Sequence, residues 1–188
     1  MYKRFFKRFF DIIVSFTAII VLIQLWIILS LLVFVTDPGR VFFTQERIGK
    51  DKKRFKIIKL RTMKSSAPKD VPTHLLKNPE RYLTPIGKAL RDSGLDELPQ
   101  LFNVFAGQMS LIGPRPALWN QDDLVAERDK YNANSVRPGL TGWAQINGRD
   151  DIPIEKKAEL DGEYIEKLGF LFDLKCFFGT VAYFFKKK

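Results

Sequence analysis

The sequence predicts a mainly helical α+β fold: a membrane-embedded N-terminal helix over residues 1–36, then a small globular domain over residues 37–188 with a β-hairpin and interfacial amphipathic helices. Three observations lead there. No ionised side chain occurs between Asp11 and Asp37. Two segments rich in β-branched and aromatic residues flank a "KDKK" turn. Apolar residues recur at three- and four-residue spacing from Leu95 to Phe105, and the C-terminus combines seven aromatic residues with a lysine cluster.

The first element is the run "DIIVSFTAIIVLIQLWIILSLLVFVTD", roughly 36 Å of helix and long enough for a bilayer core. It is long for a signal peptide and lacks a small-residue cleavage site, so it reads as a retained anchor. Basic residues crowd both ends: Lys3, Arg4, Lys7 and Arg8 before it, then Arg40, Arg47 and Lys50 after it. The positive-inside rule asks for both flanks in the cytoplasm, which a re-entrant helix satisfies. The run holds no proline or glycine, so Gln24 and Ser30 are the polar candidates near a bend.

Next, "RVFFTQERIG" and "RFKIIKLRTM" predict the hairpin. Residues Ser65 to Pro85, with four prolines and mixed charge, read as a mobile loop. A short amphipathic helix is predicted from about Asp96 to Phe105, with Pro99 tolerated in its first turn. On the residues alone, Asp96 and Glu97 read as acidic caps of that helix. The C-terminal "LGFLFDLKCFFGTVAYFFKKK" has two readings, a core helix or an interfacial helix with its rings in the acyl boundary.

Composition limits the chemistry. One cysteine, Cys176, excludes an internal disulfide, and with one histidine, His74, a Cys/His zinc site is out of reach. A Ser-His-Asp arrangement would rest on His74 alone. Metal chemistry therefore favours a hard cation on carboxylates, Mg2+. A net charge of +10 points to an anionic partner: nucleic acid, phospholipid headgroups or a phosphorylated small molecule.

Two loops favour the last of these. "SLIGPRPAL" holds Arg115 between prolines, and "SVRPGLTGWAQINGRD" offers Arg137, Arg149 and three glycines. Arginine's planar fork matches phosphate oxygens, and glycine lets backbone N–H groups approach them. Neither GxxxxGK[ST] nor a GxGxxG after a strand is present. Singly, each loop reads as a structural turn with a surface salt bridge. Together with the Asp96–Glu97 pair they indicate a diphosphate substrate with Mg2+.

The order "VFFTQERIG", "FKIIKLRTM", "LDELPQLFNV", "MSLIGPRPAL", "VRPGLTGWAQINGR" and "FLFDLK" closely resembles the bacterial monotopic phosphoglycosyl transferases, over essentially the whole chain. The resemblance implies an enzyme of the bacterial inner membrane, facing the cytoplasm, that moves a sugar 1-phosphate from a UDP-sugar to undecaprenyl phosphate and releases UMP. It implies that Asp96 is the nucleophile, forming an aspartyl phosphosugar. Glu97 would help to bind Mg2+ and accept the lipid phosphate's proton. Arg91, Arg115 and Arg149 match family arginines, and Arg137 is placed with them on the substrate. Lys59 and Asp173 match functional positions, either as a mutual ion pair or as substrate contacts. An N-acetylated donor is expected, with a hexose as the alternative. Membrane phospholipid is an expected partner, nucleic acid is not, and a homodimer is left open. The reading from another class is a non-catalytic, membrane-tethered basic binding protein. The family's re-entrant helix usually breaks at a Ser-Pro pair, where this chain reads "LIQLW".

Overall fold

The computed structural model describes residues 2–64, 66–68, 78–148 and 152–186. After a short π-helical turn, Tyr2–Phe6, the chain forms one α-helix, α1 (Lys7–Thr36). Nothing interrupts it between those ends, in keeping with a segment free of proline and glycine.

One stripe of α1 faces the rest of the protein. Asp11, Ser15, Trp26, Leu29 and Val33 are buried, and Ala18 and Leu22 are half-buried between them. Their spacing of three and four residues keeps them on one face. Leu29 and Val33 pack with Leu60 and Leu90, and the Trp26 ring lies 4.8 Å from that of Phe102. Polar contacts hold both ends: Lys7 Nζ is 2.7 Å from Asp173 Oδ2, and Arg61 Nη1 is 3.2 Å from Asp37 Oδ2. Arg8 donates to the carbonyls of Val104 and Phe105 at 2.6 and 2.8 Å. A rod of about 45 Å is therefore docked along its length on one body. Ile13, Ile20, Val21, Ile27, Leu31 and Val35 on the other faces are exposed.

The predicted hairpin is present. Strands β1 (Phe42–Ile48) and β2 (Arg54–Leu60) pair antiparallel, from Phe42 opposite Leu60 to Ile48 opposite Arg54. The turn between them takes Asp51 and Lys52 to φ of 53° and 60°. Of the loop expected over residues 65–85, residues 65 and 69–77, including His74, lie outside the described residues. Beyond them, a 3-10 turn at Pro79–Tyr82 and a bridge between Met63 and Leu83 return the chain to the hairpin.

The helix expected from Asp96 to Phe105 is divided. Helix α2 (Gly87–Ser93) leads through a 3-10 turn, Leu95–Glu97, into α3 (Gln100–Phe105). Pro99 precedes α3, and no side-chain cap bond closes its N-terminus. The carboxylates expected as caps stand one turn earlier, with Glu97 held by cations instead.

Strand β3 (Ser110–Ile112), helix α4 (Asp122–Asp129) and strand β4 (Gly139–Thr141) follow, with β3 and β4 paired parallel. Helices α5 (Trp143–Ile146), α6 (Ile154–Lys167) and α7 (Phe170–Lys186) complete the chain. Arg128 of α4 and Asp161 of α6 form a buried pair at 2.6 Å. Helix α7 answers both C-terminal readings: Asp173 and Cys176 point inward, while Leu171, Phe177, Phe178 and Val181 are exposed. Burial pushes the Cys176 thiol up to about 12, so it packs as a neutral group. The rings of Phe10 and Phe170, 5.6 Å apart, join the apolar surfaces of α1 and α7.

Candidate active site

Three local devices bring charged side chains to the 3-10 turn Leu95–Glu97. The first is Gly94, whose φ of 73° ends α2 in the left-handed conformation open to glycine. Its N–H donates to Arg91 O at 3.2 Å, and its carbonyl accepts from Glu97 N at 3.1 Å. The chain thus reverses within one turn, placing Arg91 near Asp96 and Glu97.

The second is Asn103, buried in α3. Its Nδ2 donates to Lys56 O at 2.8 Å, and its Oδ1 accepts from Ile58 N at 3.1 Å. The side of β2 turned away from β1 is thereby tied to α3. Side chains alternate along a strand, so Phe55, Ile57 and Lys59 share a face. Ile57 packs with Val104 and Met109, and Lys59, two residues on, reaches Glu97.

The third is the approach of two loops. Gly113 N donates to Thr141 O, and Gly139 N to Pro114 O, both at 2.8 Å. A Cβ on Gly113 would meet Arg137 O at 2.6 Å and Gly139 N at 2.9 Å. Glycines read in sequence as room for phosphate are here used for close backbone packing, which holds "GPRP" and aims Arg115.

The two carboxylates differ. Glu97 Oε1 accepts from Lys59 Nζ at 2.7 Å and from Arg115 Nη2 at 3.2 Å. Burial acts to raise its carboxyl, but Arg115 and Lys59 outweigh it and hold Glu97 well below the usual carboxylate range. Asp96 is 7% exposed, and among the described residues no hydrogen bond holds its carboxylate. Burial raises its carboxyl, Lys59 draws it down and the Glu97 charge pushes it up, with a net upward shift. Lys59 itself is lowered by burial, against the opposing pull of Glu97. Arg91 donates from Nε to Thr62 Oγ1 at 2.8 Å and adds positive charge beside Asp96.

The result is one fixed carboxylate and one free to react, under three cations able to meet phosphoryl charge. Among the described residues no three His, Cys, Asp or Glu side chains cluster as a metal cage. Mg2+ rarely uses one: it takes one or two carboxylates and completes its shell with water and substrate phosphate. Asp96 and Glu97, adjacent carboxylates of the 3-10 turn, fit that donor set.

The structure therefore brings together Lys59, Arg91, Asp96, Glu97 and Arg115. It places Arg137 elsewhere, with Nε on Gly107 O at 2.8 Å beside Arg8. Arg149 lies outside the described residues. The ion pair considered between Lys59 and Asp173 is not formed, because each has another partner. Asp173 accepts from Tyr2 Oη at 2.6 Å, Lys7 Nζ at 2.7 Å and Tyr164 Oη at 2.8 Å. It still lines the same cavity as Glu97 and Arg115, a space of about 550 Å3. Phe10, Val14, Phe170, Phe177 and Val181 make its far wall apolar. Sequence reasoning missed Asn103, Thr62, Tyr2 and Tyr164. A lone amide inside the apolar run "QLFNVF" was a usable signal for Asn103, whereas Tyr2, 171 residues from Asp173, leaves no local trace.

A cation-flanked carboxylate pair, one member of which lines a largely apolar cavity beside a lipophilic helix, has the make-up of an enzyme site. Residues 2–187 match the bacterial sugar transferase family, and the chain belongs to that family. It is 34% identical to the exopolysaccharide production protein ExoY of Sinorhizobium fredii (strain NBRC 101917 / NGR234), over 93% of this chain and 83% of that protein. It is 40% identical to the sugar transferase EpsL of Bacillus subtilis (strain 168), over 93% and 85%. With the UDP-glucose:undecaprenyl-phosphate glucose-1-phosphate transferase of Escherichia coli (strain K12) it shares 38% identity, over 95% of this chain and 40% of that enzyme.

Proposed function

We propose that this chain transfers a sugar 1-phosphate from a UDP-sugar to undecaprenyl phosphate, releasing UMP, through a covalent intermediate on Asp96. The observation that carries the reading is the contrast between the free, buried carboxylate of Asp96 and the twice-paired Glu97, next to a cavity whose far wall is apolar.

An oxygen of Asp96 attacks the β-phosphorus of the donor. The bond from that phosphorus to the bridging oxygen breaks, and UMP leaves with the electron pair. The lipid phosphate, as a dianion, then attacks the acyl phosphate and returns Asp96 as a carboxylate. Repulsion between a carboxylate and a diphosphate opposes the first step, and Lys59, Arg91 and Arg115 offset it. Glu97, held low by Arg115 and Lys59, orients those cations; this favours a holding role over the proton-accepting one. Asp96 and Glu97 would hold Mg2+, which when bound supplies positive charge to the diphosphate. The apolar part of the cavity takes the first isoprene units of the acceptor.

The Escherichia coli relative is named for transfer of glucose 1-phosphate, which favours a hexose donor over an N-acetylated sugar. Helix α1 is long and apolar enough to cross a membrane. With both ends docked on one body, a perpendicular crossing would carry one docked end to the far side. We therefore place α1 within the cytoplasmic leaflet of the inner membrane, its exposed apolar faces toward acyl chains.

The test is a single-turnover reaction with Mg2+, a panel of UDP-sugars and no lipid acceptor. One equivalent of UMP per enzyme, with the phosphosugar mass on the peptide containing Asp96, is the expected result. UMP release that requires the acceptor, with no adduct, overturns the covalent route.

A further inference from the structure

A second cavity, of about 280 Å3, lies where the start of α1 meets the hairpin turn and the segment before β4. Lys3, Lys7, Arg8, Lys50 and Arg137 line it, against the single carboxylate of Asp11. Asp11 is already engaged: its Oδ1 accepts from Leu111 N at 2.9 Å and Ser110 Oγ at 3.1 Å. The cations are held largely by neutral groups. Arg137 bonds to Gly107 O, Arg8 to Val104 O and Phe105 O, and Lys3 Nζ to Ile165 O at 3.1 Å. Carbonyls fix these side chains without cancelling their charge. Of the five, Lys7 bonds to Asp173, and Lys50 meets Asp51 only at 3.9 Å on the surface.

Such a pocket suits a compact anion with several acceptor oxygens, and a phosphoryl group meets two guanidinium forks best. Its place in the fold narrows the source. The stretch that supplies Lys3, Lys7 and Arg8, the N-terminal turn and the first turn of α1, also carries Phe5, Phe6 and Phe9, exposed at 68%, 43% and 51%. The cationic pocket therefore opens where the apolar surface begins, the level of lipid headgroups. We propose that this pocket binds the phosphate of one anionic phospholipid headgroup, anchoring the start of α1 at the lipid–water boundary. The inference rests on the membrane reading given above; the pocket shares Lys7 and Asp11 with the larger cavity, and neither Asp96 nor Glu97 lines it.

Native mass spectrometry of the full-length chain in detergent tests it, with phosphatidylglycerol, phosphatidylcholine and inorganic phosphate titrated in separate arms. One phosphatidylglycerol should bind in preference to phosphatidylcholine. Arg137→Gln should weaken it about fivefold, on the order of one surface cation's worth of attraction. Because Arg137 also holds Gly107, Lys50→Gln serves as the second variant: it should weaken the same lipid with no change in Tm. Equal retention of both lipids, unmoved by either variant, means a loose lipid shell and overturns the proposal. Arg137-dependent binding of inorganic phosphate with no preference for phosphatidylglycerol means a free-anion site and overturns the headgroup assignment. Neither result depends on turnover, so failure of this site and failure of the proposed reaction are read separately.

Discussion

Replacing Glu97 by Gln leaves Lys59 and Arg115 without the negative charge they share. The Lys59 and Glu97 side chains are 15% and 16% exposed, and their charged atoms are 2.7 Å apart. Breaking a pair buried to this degree by removing one partner costs about 3–5 kcal/mol, chiefly through the stranded charge. The charge of Asp96 also acts on Lys59, which places Glu97→Gln at about 3 kcal/mol, the lower end of that range. For a chain of this size the equivalent fall in Tm is about 6–12 °C. Lys59→Met combined with Glu97→Gln removes the stranded ammonium and should recover at least half of the loss. Thermal unfolding of wild type, both single variants and the double variant in one detergent gives the coupling directly. The pH dependence has a definite sign. Glu97 is depressed in the folded state, so its contribution is full above its ordinary value of 4.5 and is lost as pH falls through the lower folded value. The difference between wild type and Glu97→Gln should therefore be flat from neutral pH down to about 4.5 and shrink progressively below it. A loss of less than about 1 kcal/mol, typical of exposed pairs, or strict additivity in the double variant would refute the reasoning.

Asp96→Asn should abolish UMP release without lowering Tm, because burial disfavours the charged form of Asp96 in the folded state; a lower Tm argues against that account. Wild type should gain stability relative to this variant as pH falls through the raised Asp96 value toward 3.8. Asp173→Asn weakens a carboxylate that takes three donors and should cost about 3 kcal/mol. It should also raise KM for the lipid acceptor while sparing the first UMP burst, and an unchanged acceptor KM counts against a shared cavity. Leu90→Ala, under Leu29 and Val33, should cost about 2–5 kcal/mol and speed proteolysis between residues 37 and 41; an unchanged cleavage rate would mean that this cluster does not hold α1. Cysteines placed at Lys3 and Arg40 should react with an impermeant reagent from the same side of the membrane, and labelling from opposite sides defeats the docked orientation.

Elements set by neighbours in sequence were readable in advance. The hairpin follows from two β-rich segments around "KDKK", and the extent of α1 from its uncharged run. Misreadings arose where partners lie far apart. Asp96 and Glu97 have the composition of a helix cap, but Gly94 turns them into a separate 3-10 turn where Lys59 and Arg115 compete for Glu97. Arg137 reads in sequence as a contact to the same substrate as Arg115, yet Gly113 and Gly139 are needed for strand approach and Arg137 turns to Gly107, away from Asp96 and Glu97. Of the two readings open for Asp173, the ion pair with Lys59 is not formed, because its lysine partner is Lys7, 166 residues away. Motif matching picked out Lys59, Arg91, Asp96, Glu97 and Arg115, which the fold brings together; pairing among them depended on packing that no local pattern records.

The contacts that seat α1 run against the order in which the chain is made. Asp11 is synthesised about a hundred residues before Ser110 and Leu111, its partners at separations of 99 and 100, a delay of roughly 5–20 s at common elongation rates. Lys7 waits longer still for Asp173. Throughout that interval the apolar segment is complete while its dock does not exist, so it must rest in lipid or in a targeting factor with an acidic side chain unsatisfied. Its final placement is thus decided after translation is nearly over, by the closing of the globular body upon it, and a lesion in that body is also a lesion in the seating of α1.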